Sequence, residues 1–226
     1  MDIFSLSFLS ALAAIVVIDL VLAGDNAIVI ALAARNLPPS VRKKAILWGT
    51  VGAVIVRSLM TLVVVWLLKV PGLLLAGGAL LLWIAVKLLA ENEEAPQHES
   101  GAGFWAAMKT IVIADAVMGL DNVLAVAGAA HGNYVLVVMG LVISIPIVVW
   151  GSGLILKLIE RFPVIIYLGA AVLAGTAVKM MLSEPLVATR IAAYEDWSWL
   201  AYVVLIGATL GIGRALQLRG RKAAPA

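Results

Sequence analysis

FLSALAAIVVIDLVLAGDNAIVIALAA, residues 8–34, is the stretch that decides the fold class of this chain. It is long enough to cross a hydrocarbon core, which takes about 20 apolar residues. It contains no Lys, Arg, Glu or His, and its ionisable residues are Asp19 and Asp25. One Asp at the centre of a membrane helix is unfavourable by about 2.5–3.5 kcal/mol. An apolar run holding two of them predicts a span in which charge has a purpose. The run ends at Arg35 and the Pro38-Pro39 pair, where a helix stops.

Six further apolar runs follow, at Ile46–Leu68, Gly72–Ala90, Trp105–Ala130, Tyr134–Ile159, Pro163–Leu182 and 198–216. Charged, Pro or Gly residues separate each from the next. The 226 residues are 64% hydrophobic and 13% charged, with a mean hydropathy of +1.11. Soluble domains run at about 45–50% apolar and about 25% charged, and a large share of any soluble fold faces water. The expectation is therefore an all-α polytopic membrane protein with seven transmembrane helices and the lipid bilayer as its partner. There is no cysteine, which excludes disulfides, thiolate metal sites and Cys nucleophiles. The net charge is +3 and the pI about 9.3. The basic residues flank apolar spans, so they read as topology signals and contacts with anionic lipid, not as a nucleic-acid surface. Asp2 directly follows Met1 and no basic segment precedes the first run, so that run is expected to be a retained span and not a cleaved signal.

With the N-terminus outside, one face holds Arg35, Arg42, Lys43, Lys44, Lys87, Lys109, Lys157, Arg161, Arg214, Arg219, Arg221 and Lys222, which is 12 of the 16 basic residues. Lys69, Lys179 and Arg190 fall on the other face, and Arg57 lies inside a span. Positive residues favour the cytoplasm. The expected placement is the inner (plasma) membrane, N-terminus out and C-terminus cytoplasmic.

The first and fourth runs share a motif. Asp19-x5-Asp25-Asn26 aligns with Asp115-x5-Asp121-Asn122, and 7 of the 16 positions from 19–34 match those of 115–130. In the third and sixth runs Pro71, Gly77, Ala79, Leu81, Ala85, Val86 and Lys87 align with Pro163, Gly169, Ala171, Leu173, Ala177, Val178 and Lys179. The second and fifth match in length and in Gly49 with Gly140. The chain divides into repeat one at 8–90, a cytoplasmic acidic loop at 91–104, repeat two at 105–182, an outer loop at 183–197, a seventh helix at 198–216 and a basic tail at 217–226. Three spans per repeat is an odd number, so the second copy enters from the opposite face. Two inverted three-helix repeats with a site near the midplane is a transporter plan.

Asp19, Asp25, Asp115 and Asp121 are the acids inside spans. They can cap helices or pair with Arg57, Lys87 and Lys179 for charge balance or gating, or they can form a path for a cation or proton. Residues six apart on a helix rise about 9 Å and lie about 120° apart. Gly24 and Gly119 next to the Asp-Asn pairs therefore predict interrupted helices that free backbone carbonyls as ligands. Asn26 and Asn122 add amide oxygens. The donor set is hard oxygen, which suits Mg²⁺, Ca²⁺ or Mn²⁺. Met118, as a thioether between the acids, would turn preference toward Mn²⁺, whereas His98 and His131 read as solvated. Four carboxylates exceed the charge of one divalent ion, which makes proton coupling an expectation. No catalytic residue or prosthetic group is expected: there is no His-Glu-x-x-His, Gly-x-Ser-x-Gly or Cys, and the duplicated motif fits an ion path better than an aspartyl-protease pair.

The doubled Asp-x5-Asp-Asn motif resembles that of the TerC family, in its short bacterial form related to manganese exporters, over about residues 8–216. The resemblance implies export of a divalent cation, Mn²⁺ above others, through Asp19, Asp25, Asn26, Asp115, Asp121 and Asn122, with the metal as substrate. The other readings are an exporter of amino acids or other small cations, and a membrane scaffold that assists metal loading of exported proteins. The oligomeric state is not legible.

Overall fold

The structure, a computed structural model, describes residues 6–67, 70–91, 101–130, 133–191 and 198–223. Every assigned element in them is a helix: α1 Leu6–Ala34, α2 Pro39–Leu67, α3 Leu73–Ala90, α4 Gly101–Ala129, α5 Tyr134–Arg161, α6 Val164–Ser183, α7 Pro185–Ile191 and α8 Ser198–Ala223. A chain in lipid must satisfy each backbone N–H and C=O within its own segment, and a helix does so. Six of these helices are long and apolar enough to cross a bilayer. α1 makes a seventh when its halves, Phe8–Val21 and Gly24–Ala34, bent by 50°, are taken as one span. Large apolar side chains such as Trp83, Trp150 and Trp199 face outward, a surface suited to lipid.

The apolar runs underestimate the helices at their charged ends. α2 starts at Pro39 and not Ile46, α4 at Gly101 and not Trp105, and α8 continues to Ala223 past Leu216. Lys and Arg are good helix formers, and Pro39 suits a first helical position. The stretch 183–197 was expected to be a polar loop, and it holds the short helix α7. Of the acidic loop at 91–104, residues 92–100 lie outside the described residues, as do His98, His131 and Lys69.

Contacts set the helix directions. Arg42 donates to the Arg35 carbonyl at one end of α2, and Arg57 pairs with Asp19 further along, so α1 and α2 are antiparallel. A Cβ on Gly49 or Gly52 of α2 would meet Ile111 or Val112 of α4, and Arg57 reaches Asp115, so α2 and α4 are parallel. α1 and α4 therefore run in opposite directions. α1 packs most extensively on α5 and α4 on α2, α3 lies against α6, and α8 covers both α3 and α6.

Two of the close approaches fall on a pair of glycines aligned in the sequence. A Cβ on Gly140 of α5 would collide with Ile15 of α1, and one on Gly49 of α2 would lie 2.8 Å from Ile111 of α4. Ile15 and Ile111 occupy equal positions ahead of Asp19 and Asp115. Exchanging the two triplets thus maps one contact onto the other. Without a hydrophobic drive between helices in lipid, such small-residue contacts carry much of the association.

Glu184, between α6 and α7, is 2% exposed. Its carboxylate accepts the N–H groups of Gly72 (2.9 Å) and Leu74 (3.1 Å) at the start of α3. α3 has no cap from its own N-cap residue, Gly72, which sits at φ 81. Glu184 is therefore the cap, delivered from the other triplet, with its charge on the positive end of the helix dipole. At the far end of α3, Arg35 donates to the Glu91 carbonyl (2.8 Å) and Asn36 to the Glu91 carboxylate (3.4 Å). Burial pushes the Glu91 carboxyl above its ordinary value, against the pull of Arg35, Lys87 and Asn36.

Three outcomes follow for thermal unfolding in detergent. Gly140→Ala costs about 1–3 kcal/mol by overpacking, and Ile15→Ala in the same chain recovers part of it; unchanged stability in the single variant removes the contact. Glu184→Ala costs about 1–3 kcal/mol by leaving the α3 N–H groups unpaired, and Glu184→Gln costs less. Because its folded value is raised, Glu91 favours the fold while protonated and loses that contribution as pH rises. Glu91→Gln therefore raises stability near neutral pH and not below the ordinary value of 4.5.

Candidate functional site

α1, α2 and α4 meet at Arg57, which is 4% exposed. Its Nη1 donates to Asp19 Oδ1 at 2.5 Å. Its Nη2 donates to Asp115 Oδ1, and its Nε to Asp115 Oδ2 at 3.3 Å. The guanidinium thus grips one aspartate with two donors and the repeat-related aspartate with a third, a geometry open to Arg and not to Lys. A Cβ on Gly119 would stand 3.6 Å from Arg57 Nε. Gly119 lies beside the guanidinium, and α4 continues through it as one helix. α1 is likewise assigned as one helix, with a bend of 50° between Phe8–Val21 and Gly24–Ala34.

A cavity of about 20 Å³ adjoins this cluster, lined by Asp19, Asn26, Ile30, Thr50, Ala53, Val54, Arg57, Asp115, Leu141, Ser144, Ile145 and Val148. That is room for about one water-sized group. With Gly49 aligned to Gly140, the lining residues of α2 and α5 fall into four equivalent pairs: Thr50 with Leu141, Ala53 with Ser144, Val54 with Ile145, and Arg57 with Val148. All eight are present, so the cavity sits where the two triplets exchange. Two of its oxygens are buried without a hydrogen-bond partner among the described residues, Asn26 Oδ1 and Thr50 Oγ1. Such groups cost about 1–3 kcal/mol each when unsatisfied, and both residues line the cavity. Ser144 is satisfied by the Gly140 carbonyl at 3.0 Å.

The remaining motif residues are not gathered at Arg57. Asp25 is half-buried, and its Oδ1 accepts the Asn26 N–H at 3.0 Å. It makes no ion pair among the described residues. Asp121 lies in α4 with its side chain outside the described set, and Asn122 is half-buried. Because α1 and α4 run in opposite directions, the backbones of Asp25 and Asp121 depart from the Arg57 level toward opposite ends of the bundle, each by about 9 Å of helix. Among the described residues no three of Asp, Glu and His come close enough together to hold a metal. Of the three basic residues considered for charge balance, Arg57 engages the aspartates. Lys87 and Lys179 are exposed, and Lys87 lies over the Trp83 ring at 5.6 Å. Met118 is buried in the apolar core among α3, α4 and α6 side chains and is not a cavity residue. Thr50 and Ser144 escaped the sequence reading. The Gly49–Gly140 alignment was the signal that would have placed them.

The chain matches the description "Integral membrane protein TerC family" over residues 4–222. It is 46% identical over 177 residues to the uncharacterized membrane protein YjbE of Bacillus subtilis strain 168, covering 78% of this chain and 81% of that one. It is 31% identical over 183 residues to the UPF0053 inner membrane protein YoaE of Escherichia coli K12, of which it spans 35%. It is 24% identical over 182 residues to the uncharacterized membrane protein YkoY of Bacillus subtilis, of which it spans 56%. No solved structure matches the chain. The sequence match and the helical, multi-pass build agree, and the chain belongs to the TerC family of integral membrane proteins.

Proposed function

We propose that this protein transports a divalent cation, with Mn²⁺ export from the cytoplasm as its reaction and protons as the coupled ion. Membership of a family associated with transport supports the general class. One observation carries the particular reading: Arg57 binds two repeat-related aspartates beside a small cavity lined by Asn26 and Thr50, whose side-chain oxygens are buried without a hydrogen-bond partner among the described residues. A structural ion pair alone gives no reason for the two orphaned oxygens. A cation that sheds its water does, because each oxygen replaces a hydration ligand.

In this reading the two triplets lie in the inner membrane in opposite senses, with the N-terminus outside. Asp25 with Asn26, and Asp121 with Asn122, receive the ion at either side. Asp19 and Asp115 form the central level, which Arg57 closes. An ion that reaches this level competes with the guanidinium for the same carboxylates, and protonation of an aspartate assists its departure. All-oxygen ligation favours Mn²⁺, Mg²⁺ and Ca²⁺ over Zn²⁺ and Cu⁺.

The test is ion flux into proteoliposomes. Mn²⁺ flux is expected to depend on a pH gradient and to fall at least about ten-fold in Asp25→Asn. Thr50→Val, which keeps the shape and removes the orphan oxygen, is expected to lower the apparent Mn²⁺ affinity by about five- to ten-fold with folding intact. Flux untouched in Asp25→Asn and Asp121→Asn refutes the site, and flux indifferent to the gradient refutes the coupling. Arg57→Gln is expected to cost about 3–5 kcal/mol by exposing two buried carboxylates to each other, and adding Asp115→Asn recovers part of that loss.

A further inference from the structure

Between the first half of α2 and the last half of α5 lies a groove of about 570 Å³. Its walls are apolar, with Ile46 and Leu47 on one side and Trp150 and Leu154 on the other, and Lys43 and Lys157 also line it. It shares Arg42, Leu156 and Glu160 with a chamber of about 290 Å³ that also takes in Arg35 and Asn36. The space therefore changes from apolar to charged along its length. Arg42 is fixed, pairing with Glu160 at 2.8 Å and donating to the carbonyls of Arg35 (2.9 Å) and Leu37 (3.1 Å). Lys43 and Lys157 are exposed and make no ion pair among the described residues.

We propose that this groove binds one anionic phospholipid, with an acyl chain between Ile46 and Trp150 and the phosphate on Lys43 and Lys157. Charge complementarity selects this occupant. Basic groups at the mouth of an apolar cleft between membrane helices hold acidic headgroups, and a zwitterionic lipid gains less from them. A second copy is a poorer fit, because a two-fold contact here would set the basic rim of one chain against that of the other. The groove also adjoins the candidate site. Leu47 precedes Thr50 by less than a turn, and Val149 follows Val148. A lipid seated here rests on the two helices that carry Arg57 and its counterpart, and it biases their separation.

Gly153 lines the groove, and a Cβ placed on it would meet nothing within 4 Å. Gly153→Leu therefore introduces a side chain on the groove wall from a position where the Cβ itself meets no neighbour. The delipidated full chain in neutral detergent is titrated with phosphatidylglycerol, phosphatidylcholine or glycerol phosphate. Binding is followed by thermal unfolding and by the mass of protein–lipid adducts, so the result does not depend on transport. Phosphatidylglycerol is expected to raise the melting temperature and to persist as a single adduct, phosphatidylcholine to bind more weakly, and glycerol phosphate to give no shift. Lys43→Gln and Lys157→Gln should each weaken phosphatidylglycerol about five-fold without changing phosphatidylcholine, and Gly153→Leu should lose the adduct. Equal binding of the two lipids overturns the proposal, as does full phosphatidylglycerol affinity in the lysine variants. So does a Gly153→Leu chain that keeps its lipid but runs as a smaller oligomer, which makes the groove an interface between copies.

Discussion

Arg57 sits between Asp19 and Asp115 where water is scarce, and the rest of the arrangement depends on that contact. Two carboxylates brought together in a low-dielectric interior repel strongly, and each also loses its hydration. One guanidinium answers both problems, since its planar fork offers separate donors to the two acids. The three groups come from α1, α2 and α4, so the contact spans both triplets. Each of these helices is also held by a small-residue contact nearby, Gly140 against Ile15 and Gly49 against Ile111. Because α1 and α4 run in opposite directions, the two close contacts flank the polar clamp, one on each side, about a turn of helix away.

That level carries the aligned residues of both halves, and they differ in chemistry. Aspartates occupy both aligned positions on α1 and α4. On α2 and α5, Arg57 aligns with Val148, Thr50 with Leu141, and Ala53 with Ser144, all of them lining the cavity. Electrostatics accounts for the difference. A second arginine in place of Val148 would set two guanidinium groups against each other, and none at all would leave two bare carboxylates. A single cation near the exchange axis is the solution with least repulsion, and it leaves one negative charge over. The duplicated chain therefore has two non-equivalent halves, with the unsatisfied oxygens of Asn26 and Thr50 both on the side of the first triplet.

The membrane class and the six to seven candidate spans were legible because apolar run length is a strong, local signal. The motif aspartates were legible because acids within such runs are costly and were duplicated in register. What the sequence did not show is which groups meet. Arg57 is 38 residues from Asp19 and 58 from Asp115, and no spacing rule connects them. Lys87 and Lys179, near the ends of their spans, suit snorkelling to the headgroups ahead of charge balance, and both are exposed. Glu184 falls in the stretch 183–197 expected as an outer loop and is the buried cap of α3; helix capping from a distant segment leaves no local pattern. The groove at Lys43 and Lys157 is likewise a product of α2 and α5 meeting, not of either helix alone.

The two tiers of the motif differ in how firmly they are held. On either side of the Arg57 level an added methyl on Gly49 or Gly140 collides with a neighbouring helix, whereas a Cβ on Gly24 meets nothing within 4 Å. Gly24 lies at the bend between the halves of α1, and the half beyond it carries Asp25 and Asn26. α3, α6 and α8 pack against one another at the side, with α3 tied at both ends through Glu184 and Glu91. Asp25 thus sits beyond the bend, outside the clamp and the close contacts that hold the centre, so its surroundings are not tied to the core packing. The transport reading proposed above rests on that division: an ion needs oxygens that adjust to it, on a scaffold that does not unfold when they do.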